Sequence, residues 1–210
     1  MDIIVCIDKN NGIGKDGGLL FRIPEDMAYF RRMTVNKTVI MGRKTLESLP
    51  GGRPLENRRN IVLTRNRDRV PDGADAVSSI DELKRAIGSD KAFVIGGESI
   101  YAMLLDYCER AYVTEVEARG NADCFFPDIR SMPAWSLEEQ GEEREHGGFF
   151  AVTETTTFPR TLHRQSPRRR EHWAFSWAAP MSISGKWWKS QRSEMQTDRQ
   201  NRRTFPVPMA

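Results

Sequence analysis

Cysteine is scarce in this sequence. The three cysteines, Cys6, Cys108 and Cys124, are odd in number and lack the spacing of metal-ligand motifs. This pattern argues against a disulfide framework and predicts free thiols in a reducing compartment. We expect no metal site and assign none of the cysteines a catalytic role.

Long apolar runs are also missing. The opening residues, Met-Asp-Ile-Ile-Val-Cys-Ile-Asp, hold a short apolar run between acidic residues, with no basic leader and no cleavage-site pattern. We therefore expect no membrane partner and a cytoplasmic location.

Charge is distributed unevenly along the chain. The formal net charge is +3, but residues 160–210 hold nine Arg and two Lys against three acidic residues, so they carry +8 and residues 1–159 carry −5. Beyond residue 159 the hydrophobic periodicity also ends. We predict a catalytic domain over residues 1–160 and a basic, Trp- and Arg-rich extension over residues 161–210 without stable structure. An alternative role for this extension is binding single-stranded nucleic acid by charge and stacking.

Strand and helix patterns alternate through the first half of the chain, and strands follow one another later. Strands are predicted at residues 3–7, 38–41, 60–64, 75–77, 92–95 and 111–116, with a closing hairpin near 135–137 and 149–157; helices are predicted at residues 24–33, 43–49, 79–88 and 98–105. This order favours an α/β fold with a mostly parallel central sheet, an antiparallel C-terminal edge and helices on both faces. Residues 13–18, rich in glycine, are expected to form a mobile loop or lid, or only a turn.

Asp26 stands near the start of the first predicted helix, whose first residue is Pro24. Met27, Phe30 and Met33 fall on one apolar stripe of that helix, directly after Asp26. Two interpretations are open: Asp26 is a solvated group at the helix start, or its carboxylate enters an apolar pocket.

Two strands are followed by glycine and a helix. The first ends at Gly42 before Arg43, Lys44 and Thr45, and the second ends at Gly96-Gly97. Free N–H groups and cations at such a point can bind a phosphate. The alternatives are that Arg43 and Lys44 are only solvated at the surface, and that Gly96-Gly97 serves only the packing of helix on strand.

Taken together, these motifs resemble dihydrofolate reductase over essentially all of residues 1–159. The resemblance rests on their order and separation: residues 13–14 (Ile-Gly), 24–30 (Pro-Glu-Asp-Met-Ala-Tyr-Phe), 39–45 (Val-Ile-Met-Gly-Arg-Lys-Thr), 53–55 (Arg-Pro-Leu), 58–63 (Arg-Arg-Asn-Ile-Val-Leu), 94–97 (Val-Ile-Gly-Gly), 112–114 (Tyr-Val-Thr) and 125–128 (Phe-Phe-Pro-Asp). The resemblance implies a dihydrofolate reductase fold, and the Rossmann fingerprint is absent.

The resemblance implies NADPH-dependent reduction of dihydrofolate to tetrahydrofolate by hydride transfer and protonation at N5. Asp26 would be the catalytic carboxylate. The residues implied to contact the substrate are Ile4, Cys6, Met27, Phe30, Leu49, Leu55, Arg58 and Thr114. Those implied to contact the cofactor are Ile13, Gly14, Leu19, Gly42, Arg43, Lys44, Thr45, Thr64, Arg65, Ile95, Gly96, Gly97 and Tyr101. Arg43 and Arg65 would hold the 2′-phosphate, and antifolates would bind the substrate site of a monomer.

One departure from the family pattern lies just before the helix. Leu20-Phe21 stands where the family usually has Pro-Trp. The missing indole N–H points to a changed water network near the pterin and to a trimethoprim-insensitive variant. Two other functions stay open: the related reductase of riboflavin biosynthesis, which acts on a ribosylated pyrimidine, and nucleic-acid binding through the extension.

Overall fold

The computed structural model describes residues 1–146 and 149–157. The predicted extension, residues 161–210, lies outside them. Two units divide the chain, Met1–Gln165 and Ser166–Ala210, and the described residues all belong to the first.

Twelve strands and four helices make up the described chain. The strands are β1 (Asp2–Asp8), β2 (Gly12–Lys15), β3 (Gly18–Leu19), β4 (Thr38–Gly42), β5 (Arg59–Leu63), β6 (Ala74–Val77), β7 (Ala92–Gly96), β8 (Arg110–Val116), β9 (Cys124–Phe125), β10 (Ser136–Gln140), β11 (Arg144–His146) and β12 (Phe149–Thr157). The helices are α1 (Pro24–Thr34), α2 (Arg43–Ser48), α3 (Ile80–Ile87) and α4 (Glu98–Leu104), with short 3-10 turns at Pro50–Gly52, Arg67–Arg69, Leu105–Tyr107 and Ile129–Ser131. No helix in this part of the chain is long and apolar enough to cross a membrane.

The strands form one large sheet and one small sheet. The large sheet has the order β10-β12-β8-β1-β7-β4-β5-β6, with β11 beside β12. Pairs from β8 to β6 are parallel, whereas β12 pairs antiparallel with β8, β10 and β11. This confirms the predicted parallel sheet with an antiparallel C-terminal edge.

The sheet is covered on both faces because its strands are apolar on both sides. On one face, side chains such as Ile3 and Ile40 pack with Leu83 of α3 and Leu104 of α4. On the other face, the alternate residues of β4 and β5 pack with Leu46 of α2. We call the face that packs with α2 the second face. Ile3, Val5 and Ile7 of β1 belong to the first face, so Cys6, which alternates with them along the strand, lies on the second face.

The segment predicted as a loop, residues 13–18, is instead a β-hairpin. Gly14 pairs with Leu19 across it, and Gly12 and Gly14 pair with Phe125 and Cys124 of β9. Long-range pairing with β9 orders a segment whose glycines indicate only a flexible loop from local sequence. A second difference is β11, which lies within the loop predicted between the last two strands.

Candidate active site

Asp26 lies inside α1 rather than at its cap. Ile23 occupies the N-cap position without a side-chain capping bond, and Pro24 is the first helical residue. Asp26 is half-buried, whereas Glu25 beside it is exposed. The helix start thus directs one of its two carboxylates toward the protein.

Asp26 faces the second side of the sheet. Burial raises the pKa of the Cys6 thiol, and the charge of Asp26 raises it further. Burial likewise raises the pKa of Tyr101, with smaller contributions from Cys6 and Asp26. The carboxylate therefore stands close to the middle of β1.

The floor under Asp26 is formed by two neighbouring strands. Ile4 is buried, Cys6 is half-buried, and Cys6 pairs in register with Thr114 of β8, which is also buried. Tyr101 comes from the opposite face and donates a hydrogen bond of 2.9 Å from its hydroxyl to the carbonyl of Ile4. The predicted residues Ile4, Cys6, Asp26 and Thr114 are thus brought together.

Arg58 lies beside the C-terminal part of α1. Its guanidinium stands 6.0 Å from the centroid of the Phe30 ring, and its Nη1 donates to the Thr34 hydroxyl at 3.2 Å. Nε donates to the Glu56 carbonyl at 3.0 Å. These bonds hold a partly exposed cation beside an aromatic ring, about two turns beyond Asp26.

Apolar side chains border the same cleft. Met27 is 45% exposed, and Phe30 is half-buried. Leu49 and Leu55 are partly buried and pack against the cluster around Met41, on the second face of the sheet. The stripe predicted on α1 thus faces an open cleft; Thr34 is the buried residue of that helix.

Two helix starts meet beside this cleft, at the carboxyl ends of β4 and β7. Gly42 and Gly97 are the N-caps of α2 and α4, and neither cap has a side chain to bond the helix N–H groups. A Cβ at Gly97 would lie 3.2 Å from the Thr45 hydroxyl, and one at Gly42 would lie 3.0 Å from a carbon of Ile100. The two turns are therefore packed too closely for larger side chains.

Gly96 precedes this junction. Its φ is 120°, and the peptide bond to Gly97 is cis. A Cβ at Gly96 would lie 3.3 Å from the Tyr101 ring. Backbone angle and space both favour glycine here, and Ile95, half-buried, packs on the second face.

Basic and hydroxyl side chains surround the two helix starts. Arg43 pairs with Glu47 one turn later, at 2.5 Å, while Lys44 is exposed and Thr45 half-buried. At the end of β5, the Thr64 hydroxyl accepts from the backbone N–H of Asn66, and Arg65 is exposed. The predicted phosphate-binding residues therefore cluster on neighbouring strands.

The β2–β3 hairpin contributes the remaining predicted residues. Ile13 is half-buried, Gly14 is buried, and Leu19 is 58% exposed. Leu20 packs against Gly120, where a Cβ would lie 2.6 Å from its side chain. Phe21, which follows the hairpin, is half-buried.

Two aspartates that sequence reasoning missed fix this hairpin. The buried Asp8 carboxylate accepts from the backbone N–H groups of Asn10, Gly12 and Gly120, at 2.7–2.8 Å. Asp123 accepts from the N–H of Asp16 at 2.9 Å, which lowers the pKa of Asp123. Each aspartate has one partner more than 100 residues away in sequence, so local sequence does not indicate its part in holding the hairpin.

Comparisons with known proteins agree with this geometry. The family model described as "Dihydrofolate reductase" matches residues 1–156. The dihydrofolate reductase of Bacillus subtilis is 40% identical over 148 residues, covering 69% of this chain and 86% of the relative. Dihydrofolate reductase type 3 of Salmonella typhimurium is 37% identical over 152 residues, 72% of this chain and 93% of the relative.

A solved structure shows the same fold. It is described as dihydrofolate reductase from Enterococcus faecalis complexed with NADP(H) and RAB-propyl, and it matches with a TM-score of 0.67 at 30% identity, over 75% of this chain and 95% of that one. With the half-buried carboxylate of α1 and the glycine-capped turns after β4 and β7, these matches show that the chain belongs to the dihydrofolate reductase family.

Proposed function

We propose that Asp26 is the active-site carboxylate of this NADPH-dependent dihydrofolate reductase. The observation that carries the assignment is its position, half-buried above Cys6 and Thr114, two buried or half-buried residues of adjacent strands. Two carboxylate oxygens can accept in parallel from the N3–H and the 2-amino group of a pterin, which fixes the orientation of the ring. In our assignment Thr114, which is in register with Cys6 on the adjacent strand, supports this pairing.

The chain reduces dihydrofolate to tetrahydrofolate, which feeds one-carbon metabolism and the synthesis of nucleotide precursors. When bound, NADPH supplies the hydride, and a proton reaches N5 of the pterin. In our assignment, Asp26 polarises the ring toward protonation, and the apolar residues around it limit the access of water. Ile4 and Cys6 form the floor under the pterin.

The outer part of the substrate lies along α1 in this assignment. Met27, Phe30, Leu49 and Leu55 offer apolar surface to the benzoyl group, and the 45% exposure of Met27 leaves that surface available. Arg58 can pair with the α-carboxylate of the substrate's glutamate through a planar two-donor contact. Thr34 and Glu56 hold this guanidinium in place.

The carboxyl ends of β4 and β7 fit the phosphates of the cofactor. Glycine at positions 42, 96 and 97 lets the two helix starts pack closely, and neither N-cap has a side chain that bonds the free helix N–H groups. The other proposed contacts are Ile13, Gly14, Leu19, Lys44, Thr45, Thr64, Ile95 and Tyr101. Arg43 and Arg65 are the proposed partners of the 2′-phosphate, because two cations there favour NADPH over NADH.

The test of this function is a paired assay. Purified protein should oxidise NADPH, followed by its absorbance, only when dihydrofolate is added. A ribosylated pyrimidine of riboflavin biosynthesis, tested beside it, should give no turnover. Turnover of that pyrimidine and not of dihydrofolate would contradict the proposed substrate site.

We also propose an oligomeric state, a location and an inhibitor response for this chain. The three free cysteines support a reducing, cytoplasmic location, and we propose a monomer on the family resemblance alone. Phe21 in place of an indole supports weaker trimethoprim binding, since it lacks a ring N–H donor. We propose that residues 1–160 form the catalytic domain and that residues 161–210 take no part in the reaction; nucleic acid is not a proposed partner.

A further inference from the structure

An acidic side chain lies at the start of α4, among the proposed cofactor contacts. Glu98 is the first residue of this helix, directly after the Gly97 N-cap, and it is exposed. It forms no ion pair with any residue that the structure describes. No described cation therefore neutralises its carboxylate by direct contact.

The start of α4 lies directly beside the start of α2. A Cβ at Gly97 would lie 3.2 Å from the Thr45 hydroxyl, and a Cβ at Gly42 would lie 3.0 Å from a side-chain carbon of Ile100. The two helices thus begin side by side, in close contact. A diphosphate bound across both starts would lie within reach of the charge of Glu98.

The small sheet borders the same space. Burial raises the pKa of the Cys124 thiol most and the Asp123 carboxylate raises it next, while the charge of Glu98 raises it further and that of Lys44 lowers it. Glu98 and Lys44 therefore both stand near β9. Cys124 pairs with Gly14 of β2, a proposed cofactor contact. Proposed contacts thus lie on two sides of Glu98, at the helix starts and on the hairpin.

A carboxylate in the first turn of a helix has two opposite effects when the same helix start also binds an anion. It stabilises the helix through the positive end of the helix dipole. It also repels a phosphate that approaches the same N–H groups. Because each phosphate of a dinucleotide's diphosphate is negatively charged, Glu98 opposes the ligand that this junction otherwise favours.

We propose that Glu98 weakens the binding of the cofactor's diphosphate by charge repulsion, so that cofactor affinity depends more heavily on the cations that hold the 2′-phosphate. The inference rests on the proposed function, since it requires the diphosphate at the starts of α2 and α4. It assigns to Glu98 a part in setting the affinity for dinucleotides, separate from the part that Arg43 and Arg65 have in choosing NADPH over NADH.

Calorimetric titration of the parent protein and of Glu98→Gln tests the proposal with four ligands. The Kd values of NADPH, NADP⁺ and NADH should each fall about two- to fivefold in the variant, the scale of an interaction between partly exposed charges. The Kd of adenosine 2′-monophosphate, which lacks the diphosphate, should stay unchanged. Added KCl should reduce the difference between parent and variant for the three dinucleotides.

Two further variants serve as controls. Glu98→Asp keeps a negative charge in the first turn of α4, so its Kd for NADPH should be closer to that of the parent than to that of Glu98→Gln. Asp106→Asn removes an exposed carboxylate just beyond the other end of α4 and should leave all four Kd values unchanged. Thermal unfolding without ligand checks that each variant is folded, and Glu98→Gln should have a slightly lower Tm.

Three outcomes would overturn the inference. Unchanged Kd values together with a lowered Tm would leave Glu98 a purely structural group of α4. Weaker binding of the dinucleotides to Glu98→Gln would show that the carboxylate accepts a hydrogen bond from the cofactor. Equal tightening of adenosine 2′-monophosphate would assign the effect to the net charge of the protein. Failure of the parent protein to bind NADPH would refute the proposed function itself, a separate result.

Discussion

At the scale of single residues, the Asp26 carboxylate has two possible roles, a structural one at the helix start and a catalytic one in the cleft. A carboxylate serving only the helix dipole could be replaced by Asn at a cost of about 0.3–1 kcal/mol in stability and with no loss of catalysis. A carboxylate that orients and polarises the pterin could not, because Asn loses one acceptor and presents donors to the ring's own N–H groups.

We therefore predict that Asp26→Asn lowers kcat/KM by roughly two decades or more at neutral pH, the scale of positioning and acid–base effects. Substrate already protonated in solution needs less help from the carboxylate, so the variant's rate should rise as pH falls while the parent's changes less. Pre-steady-state hydride transfer, measured across pH, checks this. Glu25→Gln, the exposed neighbour on α1, should stay within about twofold of the parent, and a similar result for Asp26→Asn would leave the structural interpretation standing.

Arg43 offers a second test at this scale. Arg43→Ala should raise the Kd of NADPH about tenfold or more, because a charge-assisted hydrogen bond contributes about 1.5–3 kcal/mol, and should change the Kd of NADH much less. Fluorescence titration with both cofactors measures the difference.

Glu47 complicates that experiment, since removing Arg43 frees a carboxylate that would repel phosphate. Arg43→Ala/Glu47→Gln separates the two effects and should still bind NADPH poorly. Arg85→Ala, an exposed cation of α3, is the control. Equal weakening of both cofactors in the double variant would assign Arg43 another role.

Some of this detail could be predicted from sequence and some could not. The placement of Asp26 inside a Pro-initiated helix follows from local rules. The pairing of Cys6 with Thr114 depends on the register of two strands more than 100 residues apart, which no local pattern specifies. The roles of individual side chains came from the family resemblance, and the assays above are what test them.

At the scale of elements, the β2–β3 hairpin shows how long-range contacts override local sequence. Its glycines predict mobility. The Asp123 carboxylate, which lies outside the hairpin, nevertheless holds it in place by accepting a hydrogen bond from the N–H of Asp16. Charge-assisted bonds of this kind are stronger than neutral ones. The hairpin carries Ile13, Gly14 and Leu19, three of the proposed cofactor contacts.

We predict that Asp123→Asn loosens this hairpin and lowers the rate of hydride transfer by roughly tenfold, since poorly positioned loops commonly cost catalysis more than stability. Hydrogen exchange should accelerate at the Asp16 amide while the amides of β1 stay protected. Asp72→Asn, an exposed loop carboxylate, controls for the loss of a charge. An unchanged rate of hydrogen exchange at the Asp16 amide would refute the proposed stabilisation of the hairpin by Asp123.

Helix α3 supplies a stability test with a defined pH dependence. Glu82 accepts from the Ser78 backbone N–H at 2.8 Å and from Arg67 at 2.6 Å, and these bonds lower the pKa of its carboxyl below the usual range of a glutamate. Because the pKa is lower in the folded state, the stabilisation is present above the unfolded pKa and is lost as pH falls through the folded one.

Glu82→Gln should therefore lower the Tm at pH 7, and the difference from the parent should shrink as the pH drops below about 4.5. Thermal unfolding followed by circular dichroism measures it. Asp81→Asn, one residue earlier in the same turn, should show a smaller effect, because the Asp81 carboxylate does not share the bonds that Glu82 accepts from Ser78 and Arg67. A Tm difference constant with pH would contradict the charge-based explanation.

Local sequence predicts both ends of α3 but not all of its hydrogen bonds. The cap at Ser79, whose hydroxyl accepts from the Glu82 N–H, and the end at Gly88, with φ of 58°, were both predictable. In a capping box the Glu82 carboxylate would also accept from the Ser79 N–H, whereas here it accepts from Ser78 and Arg67. Arg67 comes from another segment, and its approach is a tertiary effect.

At the scale of the whole molecule, alternation of strands and helices was enough to predict the large sheet, because parallel strands need crossover connections that are visible in sequence. The small sheet was not predictable, since β2 and β9 are short and more than 100 residues apart.

The final prediction concerns the boundary between the acidic and basic parts of the chain. The family match ends at residue 156, β12 ends at Thr157, and every proposed site residue precedes both. A protein cut after Arg160 should therefore keep kcat and both KM values within about twofold of the full chain. If the extension, with a net charge of +7, binds single-stranded nucleic acid, only the full chain should do so, with an affinity that falls steeply as salt rises. Loss of folding or of reductase activity in the shortened protein would show that the reductase depends on the extension, and the proposed division of the chain would be wrong.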